Sequence, residues 1–461
     1  MDSQNVNNYF LYFSAIAANM FFVSSGTMLV WNSPVLPKLQ SNNTIINPLP
    51  TPITIFETST ITMMYPLGST IGSLLIGKIP DIIGRKKTLT CLSFVVMVSF
   101  IALSFANEVY FFFIILPILS ANLAAGYIVI PTYVSEIAED HNRGNLGTMM
   151  SFGYGFGQLY AYLIGATTSY RLFCLLCAFP PFLVLLCSLF IPESPIYATL
   201  KGRREQALII LKKLRKSKPA RDVEIEYNEK EQFLLNNTIG PKISFKSFFL
   251  DRAVRKGIAL SIAVFVMQKV AANYLVLSFL GTLLNDADSN LSGDKLAVLV
   301  QIIKIIAAFV VFYAVEKKGR RFLFLLGTSL CGVALFGLGS YFYFQHNGYY
   351  LNGFTRLMPV FLIIFFLVSY TLSLSSIPSI LASELLPNEL RSLGLSIALL
   401  FGNICLIAIS FSYPIVAKYL GVHYCMYTFS CFCFIGFSIM YFVLPETRGK
   451  SFEEIRNILN G

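Results

Sequence analysis

Apolar runs of the length that crosses a bilayer recur along the whole chain, each closed by a short cluster of Gly, Pro or charged residues. A hydrophobic stretch of about 17–25 residues reads as a membrane-spanning helix. On that basis spans are expected at 9–30, 56–80, 89–106, 110–132, 146–168, 170–191, 256–281, 294–314, 322–343, 354–383, 392–418 and 422–444. The pattern therefore predicts an all-α membrane protein of twelve spans. The first run is too long for a cleaved signal peptide and no Lys or Arg precedes Lys38, so it is expected to be the first span.

Composition agrees. Of 461 residues, 55% are hydrophobic and 13% charged, with a mean hydropathy of +0.66, whereas a soluble domain carries about 25% charged residues. Twelve spans use about 250 residues, which leaves room for loops but not for a large soluble domain. The length also exceeds that of a minimal channel subunit.

The formal charge of +11 could suggest nucleic acid, but its location excludes that. Fifteen of the 35 Lys and Arg fall between Lys201 and Lys256, in the connection between two apolar halves. With both termini cytoplasmic, the inner segments are 84–87, 139–145, 192–256, 316–321, 384–391 and 445–461, and they hold 27 of the 35. The outer loops hold only Lys38, Arg171, Lys295, Arg356 and Lys418. Such a bias orients a membrane protein toward an anionic inner leaflet. Glycosylation sequons at Asn42 and Asn290 fall in outer loops, and a third at Asn236 falls inside, where it is expected to stay bare. The nine cysteines lie almost entirely in apolar runs. Cys174 and Cys177 form a C-x-x-C among Leu, Ala and Phe with no second pair, which reads as core packing. No catalytic, metal or cofactor constellation is present, so an enzyme is not expected.

The two halves repeat. Gly84-Arg85, Ser135-Glu136 and Pro192-Glu193 recur as Gly319-Arg320, Ser383-Glu384 and Pro445-Glu446, displaced by 235, 248 and 253 residues. Arg143 follows Glu136 by seven residues, as Arg391 follows Glu384. Three signatures in one order at nearly one offset indicate a duplicated six-helix unit. The expected organisation is a bundle over 1–191, a cytoplasmic loop region over 192–255, a second bundle over 256–444 and a cytoplasmic tail over 445–461.

These motifs resemble the sugar porter branch of the major facilitator superfamily. The stretch from Gly72 to Lys86 matches the loop motif of the superfamily, while Pro-Glu-Ser-Pro at 192–195 and Pro-Glu-Thr-Arg-Gly at 445–449 are those of sugar porters. The segment Val30-Trp31-Asn32-Ser33-Pro34-Val35-Leu36-Pro37 is similar to insect trehalose-transporter-like proteins. The resemblance implies two pseudo-symmetric six-helix bundles, a plasma-membrane location, a monomer, and alternating access by rocking of one half on the other.

Charges at the inner helix ends suit a gate. Arg85, Glu136, Arg143, Glu316, Arg320, Glu384 and Arg391 can pair between bundles when the inner side closes and exchange those pairs for water when it opens. The balance must be small, because a gate worth more than a few kcal/mol would trap one state. Gly72, Gly77 and Gly84 allow close approach and a tight turn beside these pairs. One departure weakens the network: the arginine that the family carries in span four is absent near Leu116.

The solute site departs further. In sugar porters a Gln-Gln-x-x-Gly-x-Asn pattern in span seven binds hydroxyls, since amides both donate and accept. Here that pattern falls on Met267, Gln268, Lys269, Val270, Ala271, Ala272 and Asn273, so Gln268 and Asn273 remain. The other family contacts fall on Ser151, Lys304, Ser379 and Asn403, and the only tryptophan is Trp31. Lys269 and Lys304 stand at membrane depth, where ionisable groups are costly and mark solute pathways or snorkel. Lys304 is either a direct ligand of the solute or a snorkelling or uncharged lysine at a relaxed site, and Lys269 is expected to be a packed stem.

Proton symport needs a carboxylate in the cavity, and span one from Tyr9 to Val30 contains no Asp, Glu, Lys, Arg or His. The sequence thus points to a facilitative carrier for a small-molecule solute of hexose or trehalose type. A diverged carrier for an organic anion and a transporter-like sensor that moves nothing are the alternatives.

Overall fold

The structure is a computed structural model, and it describes residues 9–76, 78–139, 142–216, 219–238, 252–285, 292–315, 319–349, 353–387, 390–448, 450 and 452–460. Among them it is helical throughout, without strands. Nine helical stretches among the described residues are long and apolar enough to cross a membrane. Three further helices have the same length, α4 (Ile55–Leu75), α8 (Arg143–Thr167) and α17 (Gly293–Val315), and together they match the twelve expected spans.

The first span is a run of three helices, α1 (Tyr9–Asn19), α2 (Phe21–Val30) and α3 (Asn32–Leu39), and α4 supplies the second. The short helix α5 (Ile79–Ile83) leads to α6 (Arg85–Ser104), α7 (Val109–Ile137) and α8, followed by α9 (Tyr170–Cys177) and α10 (Phe179–Ser188) as one broken span. Three helices then lie in the connection, α11 (Pro195–Leu200), α12 (Arg204–Leu214) and α13 (Ala220–Thr238).

Span seven is interrupted twice, giving α14 (Arg252–Val270), α15 (Asn273–Ser278) and α16 (Leu280–Asn285) before α17. The rest comprises α18 (Arg320–His346), α19 (Met358–Leu372), α20 (Ile377–Leu385), α21 (Arg391–Tyr419), α22 (Val422–Val443) and the amphipathic α23 (Phe452–Asn460). The break at Trp31 falls just before Pro34, which cannot continue the helical hydrogen bonds, whereas the first break in span seven falls at Ala272 in the left-handed region.

The chain divides into two compact units. One comprises Met1–Met28, Gly68–Ile164 and Thr168–Lys242, and the other Leu29–Leu67, Gly165–Thr167 and Ile243–Gly461. In the first unit α6 packs on α7, α9 and α10, and α4 crosses α7 where Gly72 meets the backbone of Ala121, too close for any side chain at that position. In the second, α18 packs on α22 and α19, and α14 packs on α21 and α20. Outward-facing side chains are large and apolar, for example Phe94, Ile114, Phe336 and Ile439, as lipid-facing helices require. The loop helices have a small core of their own, built from Ala198, Ala207, Leu211, Val223 and Tyr227.

Candidate functional site

The span ends expected to lie inside are organised by two glutamates that the gate expectation did not include. A helix begins with N–H groups that have no intrahelical partner, and a carboxylate there is favoured by both hydrogen bonding and the helix dipole. Glu193 Oε1 accepts from the N–H groups of Arg85 at 2.9 Å and Lys86 at 3.0 Å, at the start of α6. In the other unit Glu446 accepts from the N–H groups of Arg320 at 3.0 Å and Arg321 at 3.2 Å, at the start of α18. Gly84 and Gly319 precede these helices, and a Cβ at either would collide with the carboxylate. The repeated Gly-Arg and Pro-Glu pairs are therefore two halves of one cap, formed once in each unit.

Four of the gate charges pair within their own units, Arg85 with Glu136 and Arg320 with Glu384. Arg85 is 5% exposed, and its Nη2 lies 3.0 Å from both Glu136 Oε1 and Asp81 Oδ1 while Nη1 donates to the Pro80 carbonyl oxygen. Arg320 Nε stands 3.5 Å from Glu384 Oε1, and the Thr447 hydroxyl donates to Glu384 Oε2. The interval of seven from Glu136 to Arg143 does not continue as helix. Helix α7 ends at Ile137 and Ala138 is extended, so Arg143 instead opens α8 and lines a cavity of about 110 Å³ with Asn19, Pro131, Val134, Ser135 and Met150. Arg391 opens α21 and is exposed. Glu316, Gly77 and Asn290 lie outside the described residues, and Asn42 is exposed in a loop.

Arg215 is fully buried, and sequence reasoning counted it only among the loop charges. It donates to the carbonyl oxygens of Ile137 and Ala138 at 2.9 and 3.0 Å, satisfying carbonyls at the buried C-terminus of α7. It also pairs with Glu139 at 3.1 Å and Glu226 at 2.9 Å. Burial alone would raise the Glu226 carboxyl, but hydrogen bonds and charges from Arg215 and Lys230 overcome it and hold the group at about 2. The loop helices are thereby fastened to the inner end of span four. A buried Arg that meets backbone carbonyls 77 and 78 residues away leaves no local sequence signal.

Two of the solute contacts expected in the second unit, Gln268 and Asn273, flank the first break in span seven. Ala272, at φ 61°, is the only non-glycine residue with positive φ among the described residues, and it separates Gln268 on α14 from Asn273, the first residue of α15. The Gln268 Nε2 donates to the Leu374 carbonyl oxygen at 2.7 Å, in the unwound link between α19 and α20. The Tyr370 hydroxyl lies 3.4 Å from the Gln268 carbonyl oxygen. Asn273 Oδ1 is buried and takes no hydrogen bond. Lys269 lays its stem beside Gly402 on α21, next to the half-buried Asn403. Lys304 is half-buried on α17, one turn from the fully buried Gln301. Ser379 is exposed on α20 and donates to Ser376, and Ser151 is exposed on α8 in the first unit.

Beyond the break, α15 is tied to the segment 29–67. The Tyr274 hydroxyl donates to the Thr62 carbonyl oxygen at 2.9 Å and accepts from Asn32 Nδ2 at 3.2 Å, and its ring stacks on Tyr65 at 5.1 Å. The Ser278 hydroxyl donates to Leu29, and Ser33 Oγ accepts from the Gly281 N–H at 3.0 Å. A cavity of about 210 Å³ in this unit is lined by Gln40, Thr58, Phe279, Tyr413 and Lys418, and it includes none of the expected solute contacts.

A discontinuous span carrying amides at its break, with duplicated caps at the inner helix ends, is the construction of a solute carrier. The chain matches the description sugar (and other) transporter over residues 6–459. It is 24% identical over 473 residues to the facilitated trehalose transporter of Polypedilum vanderplanki, covering 99% of this chain and 90% of that protein. It is 24% identical over 468 residues to that of Aedes aegypti, of which it spans 56%, about half its length. In fold it superposes on the inward open xylose transporter XylE of E. coli with a TM-score of 0.80 at 20% identity, covering 97% of this chain and 99% of that one. A match along nearly all of its length, on a twelve-span helical fold, means that this multi-pass membrane protein belongs to the sugar (and other) transporter family, within the major facilitator superfamily.

Proposed function

We propose that the protein is a facilitative carrier of a sugar of hexose or trehalose type, working as a monomer in the plasma membrane with both termini cytoplasmic. The observation that carries this reading is the break at Ala272. It holds Gln268 against an unwound link and leaves Asn273 Oδ1 buried with no donor, which a sugar hydroxyl would supply. An unsatisfied buried acceptor costs about 1–3 kcal/mol, so Asn273 Oδ1 favours a solute that donates.

Uniport rather than proton symport is supported by the first span, which has no ionisable residue from Tyr9 to Val30 except tyrosine. Uptake of labelled glucose, trehalose and a sugar acid in cells lacking their own carriers tests the reading. Saturable, pH-insensitive uptake of one of the neutral sugars is expected. Uphill accumulation driven by an imposed proton gradient would defeat the uniport reading, and no net movement of any solute would leave a sensor.

A second reading rests on Lys304. An ammonium on α17 at membrane depth favours an anionic solute over a neutral one. Exchange of Lys304 for Asn separates the two: selectivity that moves from the sugar acid to the neutral sugar supports the ligand role, and unchanged transport and selectivity abolish it.

A further inference from the structure

The chain has three histidines, and two of them stand together. His346 is the last residue of α18 and His423 the second of α22, and these helices pack antiparallel. They are 77 positions apart in sequence, yet their rings lie 5.1 Å apart between centroids, inclined by 37°. The pair sits at the end of α18 opposite the Glu446 cap, about 40 Å away at 1.5 Å per residue over 27 residues.

We propose that His346 and His423 form a binding site for a borderline divalent transition metal ion, of which zinc is the representative. The argument is geometric. With a metal–nitrogen distance of 2.0–2.1 Å and a near-tetrahedral angle, two imidazoles on one ion place their centroids roughly 5.2 Å apart. The observed separation is already that of a bridged pair, with no movement of either helix. Neither ring has a hydrogen-bond partner among the described residues; their contacts are with each other and with Tyr343 and Tyr424.

His423 is 4% exposed and His346 is exposed, so an ion can arrive from the His346 side. At Gly421 (φ 103°) a Cβ would press on the His423 Nδ1–Cε1 edge at 2.7–2.8 Å, so glycine keeps that edge uncovered. No Asp or Glu occurs from 320 to 383 or from 392 to 445, so no carboxylate on α18, α19, α21 or α22 pulls the rings into ion pairs. No third His, Cys, Asp or Glu joins the pair among the described residues, and water completes the coordination. Imidazole ligands of this kind suit zinc, copper and nickel rather than calcium or magnesium.

The test uses the full-length protein in detergent, with zinc chloride as the probe, followed by calorimetric titration and thermal unfolding. One zinc per chain is expected to bind and raise the unfolding temperature. His346→Gln and His423→Gln should each weaken that site by about tenfold or more, and magnesium should have no effect. Exposed Cys91 and Cys431 are replaced by Ser in the background so that thiols do not contribute. His346 is exposed at a helix end, so its variant reports even where the His423 variant fails to fold. Zinc binding of equal affinity in His346→Gln, or no binding at all, overturns the site and leaves the pair as a packing contact.

Discussion

The Tyr274 hydroxyl links the first turn after the break in span seven to the backbone at Thr62, 212 residues earlier in the chain. The same oxygen accepts from the buried Asn32 amide, so one atom closes two hydrogen bonds inside a packed region. Tyr274→Phe keeps the stack on Tyr65 but leaves the Thr62 carbonyl and the Asn32 amide without this partner. The expected cost is about 1–3 kcal/mol, seen as an unfolding temperature lower by a few degrees. An unchanged unfolding temperature would show that the link contributes nothing net.

Ala272 occupies the left-handed region, which costs a residue with a Cβ roughly 1–2 kcal/mol. Ala272→Gly is expected to stabilise the protein by about 1 kcal/mol. Ala272→Val is expected to destabilise it, because β-branching sharpens the backbone penalty and the site is fully buried. Thermal unfolding of the two variants should move in opposite directions; movement in the same direction would remove strain as the explanation.

Glu446 separates charge from hydrogen bonding at a helix N-terminus. Glu446→Gln keeps an acceptor for the Arg320 and Arg321 amides and loses only the interaction with the helix dipole, about 0.3–1 kcal/mol. Glu446→Ala loses the acceptor as well, about 1–2 kcal/mol in the manner of other N-cap deletions. Graded loss of stability, Ala beyond Gln, is the expected order in denaturation curves, and the same order should hold at Glu193.

Glu226 gives stability a defined dependence on acid. Its carboxyl is held at about 2 in the folded protein, below the ordinary value of 4.5. The contribution is therefore complete above pH 4.5 and disappears as the pH falls toward 2, with an upper bound of about 3 kcal/mol from the size of the shift. Protease protection of the loop helices should fall over that window in the native protein. In Glu226→Gln it should be lower at neutral pH and lose most of its acid dependence. If the variant keeps the native acid profile, another group controls the docking.

Spans and caps were legible for different reasons. Apolar length announces a membrane helix by itself, and the displacement of Gly-Arg and Pro-Glu by a similar interval exposes the duplication. The break at Ala272 was not legible, because alanine carries no sign of positive φ and 256–281 reads as one apolar run. Arg215 was counted as one of fifteen loop charges, although it is buried against the end of α7. Its partners are distant in the chain, and a basic loop looks the same whether its charges are solvated or docked. The interval of seven from Glu136 to Arg143 runs through the end of α7, and Glu136 stands beside Arg85, which no spacing in the sequence marks.

The two glutamate caps also carry a consequence for synthesis. Glu193 follows Arg85 by 108 residues and Glu446 follows Arg320 by 126, so the start of α6 or α18 has no cap until its own half has been made to the last span. Each six-helix unit is thus completed by its final residues, and a chain interrupted before either Pro-Glu pair would leave bare helix ends at α6 or α18.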